Sequence, residues 1–143
     1  FCPTSNLFLG RCLFERQRIM DGGGRVAVAT DIGCGTSWPI LRTLDEGYKI
    51  LNLQGQRWHP YASFAQATIG NAQAIGMADK IGSLAAGFEA DFIVLNAQAT
   101  SAMALRMEQV EPLAQELFVL QAMGDASAVS QTYIAGVASK VVG

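Results

Sequence analysis

The sequence predicts an α/β fold, and three stretches carry that prediction. Arg25-Val26-Ala27-Val28-Ala29-Thr30 is a short apolar run of the kind buried on both faces of a parallel sheet, and it stops at Asp31. A glycine-rich turn, Ile32-Gly33-Cys34-Gly35-Thr36, leads into an amphipathic segment from Ser37 to Leu53, so strand, turn and helix make one βα unit. From Lys80 the pattern changes to short, turn-punctuated strands, which sets a boundary near residue 80.

At the start of the chain, Phe1-Cys2-Pro3 reads as a strand end running into a loop. Pro3 removes a backbone donor, and Ser5 and Asn6 favour turns. Leu7 to Met20 carries apolar residues at 7, 8, 9, 13, 14, 19 and 20, a helical pattern ended by Asp21-Gly22-Gly23-Gly24. In the segment from Ser37, that serine is the expected N-cap, Pro39 lies in the first turn, and Ile40, Leu41, Leu44, Tyr48 and Leu51 share one face. His59-Pro60 opens a second helix through Phe64, Ala67, Ala72 and Ile75, with Gly76 as its stop. Further on, Phe92-Ile93-Val94-Leu95 reads as a strand and Pro112 to Met123 as a helix. Gln131 to Val137 and Lys140-Val141-Val142 read as a strand pair around a turn at Ala135-Gly136.

Composition limits the function classes. With 143 residues, 50% hydrophobic and 15% charged, the chain has the apolar material for a core and too little charge for a disordered tail. A net charge of -2 without a basic block leaves no footprint for a nucleic acid polymer. Every apolar run is broken well short of the ~18 residues that a membrane helix needs, so no membrane partner is expected. Three cysteines without C-x-x-C spacing suit a reducing compartment, hence the cytoplasm. An eight-stranded (β/α)8 barrel needs ~250 residues, so any barrel reading here is a fragment reading. The chain begins at Phe1 rather than Met, and its true start is expected upstream.

Asp31 is the first chemical candidate. A carboxylate where a buried parallel strand opens into a glycine-rich loop lies at the catalytic face of an α/β barrel, where it can ligate metal or move protons. The plainer alternative is an aspartate whose side chain caps the loop. Gly33-Cys34-Gly35 lacks the third glycine and the spaced acid of a dinucleotide fingerprint. Cys2 and Cys34 have no ready base, because the one histidine, His59, sits beside Pro60 at a helix start and reads as a surface or capping residue. A catalytic zinc needs about three protein ligands, and one histidine without ligand-spaced cysteines does not supply them.

Two strings carry a family resemblance: Phe1-Cys2-Pro3-Thr4-Ser5-Asn6-Leu7-Phe8-Leu9-Gly10, then Thr30-Asp31-Ile32-Gly33-Cys34-Gly35-Thr36-Ser37. Together they closely resemble guanine deaminases of the amidohydrolase superfamily. Further matches follow in order, among them Leu41-Arg42-Thr43-Leu44, Ala67-Thr68, Ile81-Gly82-Ser83-Leu84, and Gly87 with Glu89-Ala90-Asp91-Phe92. The resemblance covers essentially the whole chain and corresponds to about the last third of that family's enzymes. It implies the last strands and helices of a (β/α)8 barrel over residues 1–79, and strands of the small β-sandwich domain with a helical insertion over 80–143.

The resemblance also implies roles. Asp31 takes the place of the aspartate after the eighth barrel strand, a metal ligand and proton shuttle. Ser5 and Asn6 fall in the loop after the seventh strand, beside the purine pocket, with turn formation as their plainer role. In the intact enzyme, expected to be a homodimer, Zn2+ would activate water for attack on guanine, releasing xanthine and ammonia. The metal histidines and the catalytic glutamate would lie outside this chain, so the fragment alone is expected to be inactive. An 8-oxoguanine deaminase, a triazine-type hydrolase and a free-standing non-catalytic domain are the alternatives. The chain departs from the family pattern at Val28-Ala29, at Ala126-Ser127 and in the apolar tail from Val137 to Gly143.

Overall fold

The structure is a computed structural model and describes residues 1–139. It is mixed: a helical layer spans the first eighty residues, and a small antiparallel sheet closes the chain. The expected strand over Lys140 to Val142 lies outside the described residues.

Pro3–Phe8 forms a short helix, α1, where the sequence suggested a turn. The proline that removes a donor there sits in the first turn, where a helix has no use for that donor. The predicted helix from Leu7 to Met20 is also revised. Gly10 takes a left-handed φ of 65°, which ends α1, and helix resumes only as α2, Arg16–Asp21.

Arg25–Thr30 runs extended but with a single neighbour. The Phe1 amino group donates to the Ala27 carbonyl at 2.7 Å, and Ala29 N donates to the Phe1 carbonyl at 3.1 Å. One residue bonding to two positions that flank Val28 is the parallel ladder pattern. Val26 and Val28 are buried, while Ala29 on the other face is exposed.

α3, Ile40–Leu53, begins later than predicted: its N-cap is Pro39 in an extended conformation, not Ser37. Its buried face holds Leu41, Leu44, Ile50 and Leu51. His59 caps α4, Pro60–Ala65, which continues through a π-helical turn, Gln66–Gly70, into α5, Asn71–Ala74. Gly76, at φ 75°, ends the run while Met77 N donates back to the Ala72 carbonyl at 2.8 Å.

The strand β1 is Phe92–Leu95, as predicted. A helix absent from the sequence reading, α6, Ser101–Met107, follows with the Thr100 hydroxyl accepting from Met103 N. α7, Leu113–Met123, precedes β2, Val129–Ile134, and β3, Val137–Ser139. The sheet order is β1-β2-β3, antiparallel throughout, with Phe92 opposite Tyr133 and their rings stacked 4.4 Å apart. Ala135 and Gly136 both have positive φ, 49° and 76°, the pair of left-handed residues that a two-residue hairpin turn needs.

Two apolar clusters hold these parts. Val28, Leu44, Leu51 and Trp58 make one, beneath the extended segment. Leu41, Ala97, Met103, Val119, Leu120 and Ala128 make the other. α7 packs on α3 and α4, with Tyr48 edge-on to Phe118 at 5.2 Å and the side chains of Ser63 and Gln121 meeting at 2.7 Å in a buried contact. Leu41 on α3 belongs to the second cluster and Leu44 to the first, so one helix face joins both.

Candidate functional site at the Asp31 turn

Asp31 stands where the extended segment ends, at φ 50°, a left-handed conformation that aspartate tolerates better than most residues. Its backbone carbonyl accepts from Cys34 N at 3.0 Å and from Gly35 N at 2.6 Å. The turn is therefore closed by main-chain atoms, and Asp31 is exposed. The alternative in which the carboxylate caps its own loop is not the arrangement observed.

Neighbouring contacts leave this turn little freedom. A Cβ at Gly35 would strike the Thr30 carbonyl oxygen and come within 2.9 Å of Thr4 Oγ1, so glycine is required for steric reasons. Thr4, on α1, donates its hydroxyl to the Thr30 carbonyl at 3.2 Å. In this way α1 is tied to the residue just before Asp31.

Ser5 and Asn6 lie on α1 rather than in a turn. Ser5 is buried, and its hydroxyl donates to the Cys2 carbonyl at 3.2 Å. Asn6 is half-buried, and its carbonyl accepts from Arg11 N at 2.8 Å. α1 thus connects Ser5 and Asn6 to Asp31 only through the neighbouring residue Thr4.

The other reactive side chains stand apart. His59 is exposed at the start of α4, where its Nδ1 accepts from Tyr61 N at 3.3 Å and its ring stacks on Tyr61. Cys2 is half-buried; Cys12 and Cys34 are exposed, and all three are free thiols. Among the described residues, no three His, Cys, Asp or Glu side chains come together to hold a metal ion. The described residues do not by themselves supply a metal centre; Asp31 can offer one carboxylate. A surface cavity of about 430 Å³ is lined by Met20, Arg25, Val26, Gln66 and Gln73, at the opposite end of the extended segment from Asp31. Among the described residues no helix is long and apolar enough to cross a membrane.

Sequence reasoning missed the residues that hold the segment leading to Asp31. Asn71 Oδ1 accepts from Val28 N, and Asn71 Nδ2 donates to the Val28 carbonyl, both at 2.8 Å. Gln66 Nε2 donates to the Val26 carbonyl, and Arg16 donates to Gln66 Oε1 at 3.3 Å. The local signal is slight: Gln66 and Asn71 are two of three amide residues in a run rich in small residues.

Comparison with known proteins matches residues 1–138 to the amidohydrolase family. Guanine deaminase of Escherichia coli (strain K12) is 43% identical over 136 residues, 95% of this chain and 31% of that protein. Imidazolonepropionase of Geobacillus thermodenitrificans is 36% identical over 95 residues, 66% of this chain and 22% of that protein. The solved structure of E. coli guanine deaminase superposes with a TM-score of 0.95 at 41% identity, covering 98% of this chain and 33% of that one. The chain thus spans about a third of the length of the curated guanine deaminase it matches.

Proposed function

This chain belongs to the amidohydrolase family, and from that membership we propose that it is the carboxy-terminal part of a guanine deaminase, converting guanine and water to xanthine and ammonia. The observation that carries the substrate is the extent of the likeness. Identity to the guanine deaminase is 43% over 95% of the chain, against 36% over 66% for the imidazolonepropionase. On this reading residues 1–79 complete a (β/α)8 barrel, and 80–143 contribute strands and a helical insertion to a small β-sandwich domain. α7 supports a close join between the two parts, because it packs on α3 and α4.

Asp31 is the reacting group this chain supplies. A carboxylate at the mouth of a barrel strand, not used by its own turn, is placed to hold a water molecule and take its proton as the water attacks the ring carbon bearing the amino group. Ser5 and Asn6 are the purine-side candidates: α1 carries both and is tied through Thr4 to the residue preceding Asp31. The metal of the intact enzyme is Zn2+, with Asp31 as this chain's single contribution to its ligands. The chain alone neither holds that metal tightly nor turns over guanine. The whole enzyme works as a cytoplasmic homodimer.

Asp31→Asn in the full-length enzyme tests the assignment. Asparagine accepts the same left-handed backbone but has no basicity, so xanthine formation falls by ~100-fold or more while the folded fraction stays the same. Near wild-type turnover in that variant would remove Asp31 from the chemistry, and an intact wild-type enzyme that releases no ammonia from guanine would overturn the substrate.

A further inference from the structure

We propose that Asn71 is a positioning residue for Asp31, clipping the backbone of Arg25–Thr30 along the edge that faces away from Phe1. The catalytic consequence rests on the reading of Asp31 given above; the clip itself does not.

Phe1 occupies the edge that presents the Ala27 carbonyl and Ala29 N. Along a strand alternate residues point their N–H and C=O to opposite edges, so Val26 and Val28 present theirs to the other side. Val28 is 3% exposed, and water does not compensate its polar backbone atoms. A primary amide carries a donor and an acceptor in one plane, as a peptide unit does, and Asn71 uses both on Val28 at 2.8 Å each. The Val26 carbonyl is taken by Gln66. Two side chains thus make three bonds to the backbone on that edge.

The helix is shaped for this. Residues five apart on a regular α-helix point about 140° away from each other, so Gln66 and Asn71 would not reach one edge together. The π-helical turn Gln66–Gly70 bonds residues five apart and brings them onto nearby faces. Gly70 leaves the space that the Gln66 side chain fills: a Cβ there would sit 2.8 Å from Gln66 Nε2 and 3.2 Å from the Ala65 carbonyl. The π-turn, the missing Cβ and the two amides serve one end, the placement of a strand whose next residues are Thr30 and Asp31.

Asn71→Leu keeps the volume and removes both bonds. In this chain the hydrogen-exchange protection of the Val28 amide is expected to fall about tenfold, the equivalent of one lost hydrogen bond. In the full-length enzyme kcat per folded site should fall about 10²-fold, as for a misplaced catalytic group, with KM for guanine within twofold. Asn71→Asp supplies the readout that simple loss of packing would not produce. Ionised, its carboxylate still accepts from Val28 N but repels the Val28 carbonyl and loosens the clip; protonated, it again offers one donor and one acceptor. Val28 protection in that variant should therefore recover as pH falls, whereas in Asn71→Leu it should not. Gly70→Ala, which displaces Gln66 without touching Asn71, is the second variant should Asn71→Leu fail to fold, and it should lower protection of the same segment.

Unchanged Val28 protection in Asn71→Leu, or no recovery at low pH in Asn71→Asp, overturns the clip. Unchanged kcat in an enzyme whose Val28 protection is lost overturns the positioning role. A wild-type enzyme without guanine turnover overturns the functional reading and the catalytic half of this inference, while the exchange data still judge the clip.

Discussion

The turns at Asp31 and Asp125 each place an aspartate ahead of a tight bend, and they are closed by different atoms. At Asp125 the carboxylate does the work: Oδ1 accepts from Ser127 N at 2.8 Å and from Ser127 Oγ at 2.6 Å. These bonds, the side-chain one first, hold its pKa below the ordinary carboxylate range. At Asp31 the backbone carbonyl takes both bonds of the turn, and the residue stays exposed in a left-handed conformation. A carboxylate held by its own turn has one oxygen committed there and its orientation fixed. The comparison therefore separates a structural aspartate from one left available, a distinction that the letters Thr-Asp and Gly-Asp do not contain.

Gly35→Ala should have the largest effect on stability. The added methyl meets the Thr30 carbonyl and the Thr4 hydroxyl, and the turn cannot close without displacing one of them. A loss of about 3 kcal/mol in urea unfolding is expected, at the upper end for overpacking. A loss below that of an ordinary surface substitution would mean that the main-chain closure at Asp31 is not the rigid element described.

Asp31→Val should cost about 1–2 kcal/mol, because a β-branched residue at φ 50° is strained whatever surrounds it. Asp31→Asn should be nearly neutral for folding. If thermal unfolding instead found Asn as damaging as Val, the carboxylate would have a structural bond at this turn, and the contrast with Asp125 would collapse.

Asp125→Ala is expected to lose about 1 kcal/mol, the usual value of a side-chain cap. Because the folded pKa of Asp125 is depressed, its contribution is complete above the unfolded value near ~4 and is lost as pH falls through the folded value. The stability difference between wild type and Asp125→Ala should therefore shrink in acid. A difference that stayed constant from neutral pH to about pH 2 would show that the hydroxyl and amide of Ser127 do not favour the ionised form.

Much of the architecture was legible because it is local. The apolar run Phe92 to Leu95, the helix start at His59-Pro60, the stop at Gly76 and the Ala135-Gly136 turn all depend on residues within one or two turns of each other. Three local readings needed revision. Pro3 starts a helix rather than a loop, Pro39 displaces Ser37 as the cap of α3, and Gly10 divides the expected helix from Leu7 to Met20. In each, one residue's backbone preference outweighed an apolar period or a side-chain cap. The candidate site divides in the same way. The motif around Asp31 marks the residue, but which atoms close its turn does not follow from the motif.

By itself, the sequence determined an α/β chain with a change of character near residue 80, an apolar run ending at Asp31, and the family resemblance that selected Asp31, Ser5 and Asn6, whereas the burial expected on both faces of that run is found on the Val26 and Val28 face only. Tertiary structure alone decided how the edge of that run is satisfied. Val28 and Asn71 are 43 residues apart in sequence, and two bonds join them. Those bonds depend on a π-helical turn and a glycine that bring Gln66 and Asn71 together. Side-chain hydrogen bonds between distant segments follow no sequence period, because their partners meet only after the core has packed.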